Sequence, residues 1–230
     1  IMVQKYGGTS VKGLERMRLV LARIQKAHQE GFKVVVALSA MSGETNKLLD
    51  LAKEFSSNPD PAELDVLVTT GEQVSVALFA MLCKDAGLRA RSLLGFQIPI
   101  TTNSNFCRAR IMDIDTQRMR GLLEDYDVLV VAGFQGVDCQ GRLTTLGRGG
   151  SDTTGVALAA ALEAEVCEIY TDVNGVYTTD PNLCSNARKL DRISYDEMLE
   201  FSSMGAKVLQ IRSAEFAKKD RKSTRLNSSH

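Results

Sequence analysis

Short runs rich in β-branched and apolar residues, at positions 3–6, 33–38, 90–94, 128–132 and 166–171, alternate with stretches whose apolar residues recur at helical spacing. Such a pattern leaves few architectures. A strand, a helix and a second strand of the same sheet make a parallel βαβ unit with a right-handed crossover. The stripe Leu14, Met17, Leu21, Ile24, His28 predicts a helix over 14–30, ended by Gly31 as its C-terminal cap. Further helices are expected over 45–55, over 62–86 with an interruption near Gly71, over 115–125 and over 152–164. Ser194 and Glu197 have capping-box spacing, which opens a helix over 196–202. The rhythm breaks at 137–146 around Gln140-Gly141 and at 173–179 around Asn174-Gly175, and both read as hairpins. The expected fold is α/β, one domain with a mostly parallel sheet, helices on both faces and short β-hairpins.

The chain has 230 residues, 44% of them hydrophobic, which is ample for a sizeable core. Its 28 basic and 28 acidic side chains cancel, and this argues against nucleic acid or an anionic membrane as an electrostatic partner. Apolar runs such as 128–132 and 156–162 fall short of a membrane span of roughly 18 residues. Ile1-Met-Val-Gln-Lys5 lacks the basic start of a signal peptide, so a soluble, cytoplasmic chain is expected. Five cysteines without a CxxC pair, and two histidines, argue against a disulfide framework or a zinc site. His28, on the apolar stripe, reads as helix-rim packing. Residues 220–230 contain one large apolar side chain and are expected to be a disordered or non-native tail beyond a domain of 1–219.

Four glycine-rich turns follow β-like runs: Lys5-Tyr-Gly-Gly-Thr-Ser10, Ser39-Ala-Met-Ser-Gly-Glu-Thr45, Gly133-Phe-Gln-Gly136 and Leu146-Gly-Arg-Gly-Gly-Ser-Asp152. In open α/β sheets ligands bind beyond the carboxyl ends of strands, where backbone N–H groups and a helix N-terminus favour an anion. One Gly-Gly is more often a tight turn, but four such turns in a small domain point to a phosphate site. Neither the Walker A nor the Rossmann fingerprint is present: 146–153 has no lysine, and Asp152 stands where the third Rossmann glycine would be. Lys5 suits neutralisation of a phosphoryl group, or is simply a surface lysine. Arg148, between glycines, suits bidentate capture of a carboxylate or phosphate. Asp152 reads as the N-cap of the following helix, a role compatible with organising nearby cations. Glu72 lies in an apolar helical stretch and needs a partner, either a ligand ammonium or a neighbouring Lys or Arg. Thr171-Asp172 stands at a strand end suited to ribose or base recognition, or to a turn cap.

Taken together, the chain resembles the aspartate kinases (aspartokinases) of the amino-acid kinase family. The resemblance runs from Val3 to Lys219 and is carried by Lys5-Tyr-Gly-Gly-Thr-Ser-Val11, Leu38-Ser-Ala-Met-Ser-Gly-Glu-Thr-Asn46, Thr70-Gly-Glu72 and Gly133-Phe134. It continues through Thr144-Thr-Leu-Gly-Arg-Gly-Gly-Ser-Asp-Thr-Thr154, Tyr170-Thr-Asp-Val-Asn-Gly-Val-Tyr-Thr-Thr-Asp-Pro181 and Met204-Gly-Ala-Lys-Val-Leu209. The resemblance implies a three-layer α/β/α sandwich and transfer of the ATP γ-phosphoryl group to the side-chain carboxylate of L-aspartate, on the way to lysine, threonine and methionine. It implies that Lys5, Gly7 and Gly8 face the ATP phosphates and that Thr171, Asp172, Tyr177, Lys207 and Val208 line the nucleotide. It further implies that Ser39, Thr45, Glu72, Arg148, Gly149, Gly150 and Ser151 hold aspartate while Lys5 and Asp152 serve catalysis.

Expected ligands are therefore ATP, with Mg2+ carried on it rather than in a metal site of the protein, and L-aspartate. A homo-oligomer is a further expectation; nucleic acid and membrane are not. Two departures from the family pattern stand out. Asn182 occupies a position where the family usually has arginine, which predicts weaker ATP binding, and the usual C-terminal ACT modules are absent from these 230 residues. A kinase acting on glutamate, acetylglutamate, carbamate or UMP is the alternative within the fold, and Glu72 discriminates, because an N-acetylated or nucleotide acceptor has no ammonium. A module that binds nucleotide without turnover is the alternative outside it.

Overall fold

The computed structural model describes residues 1–171, 186–188 and 224–228. Its elements, in chain order, are β1 (Met2–Tyr6), α1 (Leu14–Gln29), β2 (Val34–Leu38), α2 (Glu44–Phe55), α3 (Pro61–Val68), α4 (Thr70–Asp85), β3 (Ala90–Leu93) and β4 (Ile100–Thr102). They continue as β5 (Ile111–Ile114), α5 (Thr116–Asp125), β6 (Val128–Ala132), β7 (Gln135–Val137), β8 (Leu143–Thr145), α6 (Gly150–Ala161), β9 (Val166–Thr171) and β10 (Thr224–Ser228).

The main sheet has the order β10-β9-β1-β2-β6-β3 and every pairing in it is parallel. Parallel strands joined by helical crossovers are covered on both faces, and β2 and β6 are buried at every position. Alternation along β2 divides the core. Val35 and Ala37 meet Met119 and Leu123 of α5 and Val156 and Leu158 of α6. Val34, Val36 and Leu38 meet Met17, Val20 and Ile24 of α1 and Val76 and Phe79 of α4. Each fully buried aliphatic side chain contributes about 1.5–3 kcal/mol relative to exposure. The result is the expected α/β/α sandwich with a mostly parallel central sheet.

A second sheet, β5-β4-β7-β8, was not anticipated as a unit, although its β7–β8 hairpin was. Asp138 shapes that hairpin by accepting from the backbone N–H groups of Gln140 and Arg142, both at 2.9 Å. Gly141, with φ of 79°, makes the turn. The sheet meets α3 and lies beside the carboxyl ends of the main strands, so it walls one side of the region where the glycine turns converge. The expected hairpin at 173–179 and helix at 196–202 lie outside the described residues.

The interruption expected near Gly71 in the helical stretch over 62–86 falls at Thr69, where two helices meet, and Asp60 caps the first through the N–H groups of Ala62 and Glu63. Two expectations change. Pro61–Asp85 taken as one segment is long and apolar enough to cross a membrane, with mean hydropathy of 1.6. No such segment was expected from the sequence. Yet Asp65 and Glu72 are buried within it and α4 packs on β3 and β6, which makes it a core segment of this fold. Finally, the supposed tail contributes β10, paired parallel to β9 from Thr224 opposite Cys167 to Ser228 opposite Thr171. An edge strand is held by backbone hydrogen bonds and needs no apolar run, so composition gave no sign of it.

The amino ends of β2, β6 and β3 are tied by one carboxylate. Asp127 accepts from Arg89 Nη2 at 2.7 Å, Arg89 Nε at 3.1 Å and Lys33 Nζ at 3.2 Å. The Arg89 guanidinium holds its carboxyl well below the usual carboxylate range. Asp127→Ala is expected to lower stability by about 1–3 kcal/mol, because it leaves this cluster without its acceptor. The folded group titrates below its unfolded value of roughly 3.9, so its contribution is complete above that pH and is lost as pH falls through the lower folded value. Urea unfolding at pH 7 and pH 3 should therefore show a gap between wild type and variant that narrows in acid.

Candidate active site

Backbone hydrogen bonds gather the turns at the carboxyl end of the main sheet. The Gly7 N–H donates to the Tyr170 carbonyl at 3.3 Å, Ser39 to Tyr6 at 3.2 Å and Gly133 to Leu38 at 2.9 Å. The first two turns are in contact: a Cβ on Gly8 would lie 2.6 Å from the Ala40 carbonyl oxygen, so only glycine fits there. A cavity of about 230 Å³ opens among the turns. Lys5 and Asp152 line it, as do Ser39, Thr45 and Glu72, together with the turn and helix start at 147–151.

Lys5 is the penultimate residue of β1, with only 6% of its surface exposed. Its stem runs over α6, where a Cβ on Gly155 would lie 2.9 Å from the Lys5 Cβ. Its ammonium meets Asp152 Oδ1 at 2.5 Å, an ionic contact rather than a directed hydrogen bond. Asp152 is not the N-cap expected of it. Gly147 and Gly149 adopt φ of 74° and 70°, which winds the chain into α6 earlier, with Gly149 as N-cap and Asp152 in the first turn. There its carboxylate favours both the positive end of the helix and the lysine.

Glu72, in the first turn of α4, is 3% exposed. Its Oε1 accepts from the Ala40 N–H at 2.9 Å, while its buried Oε2 has no hydrogen-bond partner among the described residues. Among the described residues no Lys or Arg forms an ion pair with it. Burial pushes its carboxyl up to about 7, against a partial offset from the Ala40 N–H. Arg148 lines the same cavity, is exposed, and likewise forms no ion pair with a described carboxylate. The cavity thus holds a cation–anion pair at Lys5–Asp152, a buried carboxyl with a bare oxygen, a guanidinium, and the N-terminus of α6.

Gly7 and Gly8 border this cavity without lining it: the Lys5 Nζ lies 3.6 Å from where a Gly7 Cβ would stand. Thr171 is the last residue of β9, beside β1 in the sheet. Asp172, Tyr177, Lys207 and Val208 lie outside the described residues, as does Asn182. Ala40, Phe134 and Gly147 also line the cavity, although the sequence did not mark them as site residues. Phe134 carries a signal: it follows the glycine of a recognised turn and adopts φ of 68°, with its N–H donating to Thr154 Oγ1 at 3.0 Å.

A sheet covered on both faces, with a cation, anion-type turns and a helix N-terminus at its carboxyl edge, is a geometry suited to an anionic ligand. The chain belongs to the amino acid kinase family, whose model matches residues 1–226. It is 57% identical over 219 residues to an aspartate kinase of Pseudomonas putida, covering 95% of this chain and 53% of that one. The crystal structure of aspartate kinase from Synechocystis superposes with a TM-score of 0.87 at 45% identity, covering 99% of this chain and 37% of that one. That of E. coli aspartokinase III in complex with aspartate and ADP gives 0.89 at 29% identity, covering 100% and 62%. The chain therefore spans about half the length of the curated relative it matches.

The raised Glu72 carboxyl sets a pH signature. Its folded value of about 7 exceeds its ordinary 4.5, so the empty protein should lose stability as pH rises between these values and level off above them. The loss is about 3 kcal/mol at most, at 1.36 kcal/mol per pKa unit. Glu72→Gln keeps an acceptor for Ala40 and does not ionise. Urea unfolding from pH 4 to pH 8 should show the decline in wild type and its absence in the variant.

Proposed function

We propose that this chain carries the catalytic part of an aspartate kinase, which moves the γ-phosphoryl group of ATP to the side-chain carboxylate of L-aspartate and forms 4-phospho-L-aspartate. One observation carries the reading: a single cavity pairs the bare Oε2 of Glu72 with the guanidinium of Arg148. An α-amino acid presents an ammonium and a carboxylate on one carbon, and these two side chains complement both. An acceptor lacking the ammonium leaves the buried Glu72 carboxyl unpaired, which is disfavoured, and one lacking the carboxylate forgoes the contact with Arg148. The 57% identical relative named aspartate kinase and the E. coli enzyme seen with aspartate and ADP support the same substrates.

The chemistry needs no general base, since the acceptor carboxylate is ionised at pH 7 with a reference pKa of roughly 3.9. Its oxygen attacks the γ-phosphorus in line, the bond to the β-phosphate oxygen breaks, and ADP leaves with the electron pair. What the protein supplies is position and cancellation of charge between two anions. Lys5, held by Asp152, provides a fixed ammonium at the phosphates, and N–H groups of the turn after Gly7 and at the start of α6 add donors. Ser39, Thr45 and Ser151 offer hydroxyls to aspartate, and the nucleotide would extend towards the end of β9. Mg2+ would come in on the phosphates of ATP. Bound there, Mg2+ would neutralise phosphate charge. The product belongs to amino-acid biosynthesis, towards lysine, threonine and methionine.

The test is an acyl-phosphate trap. The chain is incubated with MgATP and hydroxylamine, and aspartate, glutamate and N-acetylglutamate are offered separately. Hydroxamate is expected with aspartate alone. Product with another acceptor, or none from folded protein, would overturn the assignment. Arg148→Ala and Glu72→Gln should each lower kcat/KM for aspartate by about 10- to 100-fold, the loss of one charged hydrogen-bonded contact.

A further inference from the structure

Asp65 is fully buried on α3 and belongs to no part of the cavity wall. Its carboxylate is nonetheless engaged on both oxygens. Oδ1 accepts from Thr145 Oγ1 at 2.7 Å, while Oδ2 accepts from the N–H groups of Thr145 at 2.8 Å and Cys107 at 2.9 Å. No lysine or arginine is among these partners, so the carboxylate serves as a multiple acceptor rather than as half of an ion pair.

The partners sit beneath the Arg148 turn. Thr145 is the last residue of β8, three positions before Arg148. The Thr145 carbonyl accepts from the Ala109 N–H at 2.7 Å, which binds the 107–109 loop to the same strand end. That loop then supports the turn itself: a Cβ on Gly147 would lie 3.0 Å from the Cys107 carbonyl oxygen. At its other end α3 runs through Thr69 into α4, whose first turn carries Glu72, and Gln135 Nε2 ties that junction by donating to the Thr69 carbonyl at 3.3 Å. Asp65 thus joins the element that leads to Glu72 with the one that leads to Arg148.

We propose that Asp65 is a positioning residue that sets the separation between Glu72 and Arg148, and through it the fit of an α-amino acid between them. This rests on the reading of these two side chains as receptors for ammonium and carboxylate. Asparagine can fill the place: its amide oxygen accepts from the two backbone N–H groups while its NH2 donates to a Thr145 hydroxyl rotated to accept. Alanine leaves two backbone donors without their acceptor.

The test compares steady-state kinetics of wild type, Asp65→Ala, Asp65→Asn and Thr145→Val. Asp65→Ala is expected to raise KM for aspartate by about tenfold and to leave KM for MgATP within about twofold, with Asp65→Asn close to wild type. In an Arg148→Ala background Asp65→Ala should add little, because neighbours that act through one contact are not additive. If both KM values rise together, or the effect persists undiminished without Arg148, Asp65 is only a structural residue. Should Asp65→Ala fail to fold, Thr145→Val, which removes one of the three bonds, must still shift KM for aspartate selectively by about threefold, and no shift overturns the proposal. Amide hydrogen exchange separates this inference from the assignment of the reaction. If wild type makes no hydroxamate from aspartate, the functional reading fails. Faster exchange at 147–149 in whichever of Asp65→Ala or Thr145→Val folds, with α1 unchanged, would then still support positioning, and unchanged exchange would end it.

Discussion

An ammonium at the end of a strand covered on both faces cannot stand alone, and the architecture around the cavity follows from how Lys5 is accommodated. Its counter-charge comes from α6, so β1 and α6 must pack closely. Gly155 makes that possible, because a side chain there would meet the lysine stem. Removing one partner of a buried pair costs about 3–5 kcal/mol, far more than a surface pair contributes. The pair therefore ties the first strand to a helix that starts some 145 residues later, counting from Lys5 to Gly150. With that junction in place, the N-terminus of α6 and the Arg148 turn come to rest over the same cavity.

The other wall is built differently. Glu72 enters from α4, which packs on β3 and β6, and its carboxyl is held by one backbone N–H and otherwise left bare. Lys5 and Asp152 satisfy each other before any ligand arrives, whereas Glu72 and Arg148 do not. On the function proposed above, the site is complete where a phosphoryl group would be handled and incomplete where an acceptor would be chosen.

Much of this was legible in the sequence for identifiable reasons. The strand 128–132 and the helix stopped by Gly31 stand out because a buried parallel strand is a continuous apolar run and a C-terminal glycine is a discrete signal. The residues assigned to aspartate line one cavity because glycine turns after strands mark the carboxyl edge of a parallel sheet, where topology brings them together. What escaped was set by tertiary contact. Strands β4 and β5 span three and four residues and exist through their pairing with each other and with β7. Asp152 looked like a cap because the left-handed conformations of Gly147 and Gly149 cannot be read from composition. Strand β10 depends on an open edge of β9, which lies far from it in sequence. The role argued for Asp65 depends on Thr145 and Cys107, which no local pattern connects to it.

The bare oxygen of Glu72 also bears on how long the molecule lasts. A carboxyl kept out of water with half its hydrogen-bonding capacity unused raises the free energy of the empty state, and a ligand that brings an ammonium to it lowers the folded state without touching the unfolded one. Proteolysis and aggregation act on the open chain, so a ligand held in this pocket would protect the domain from both through the stability of the fold itself.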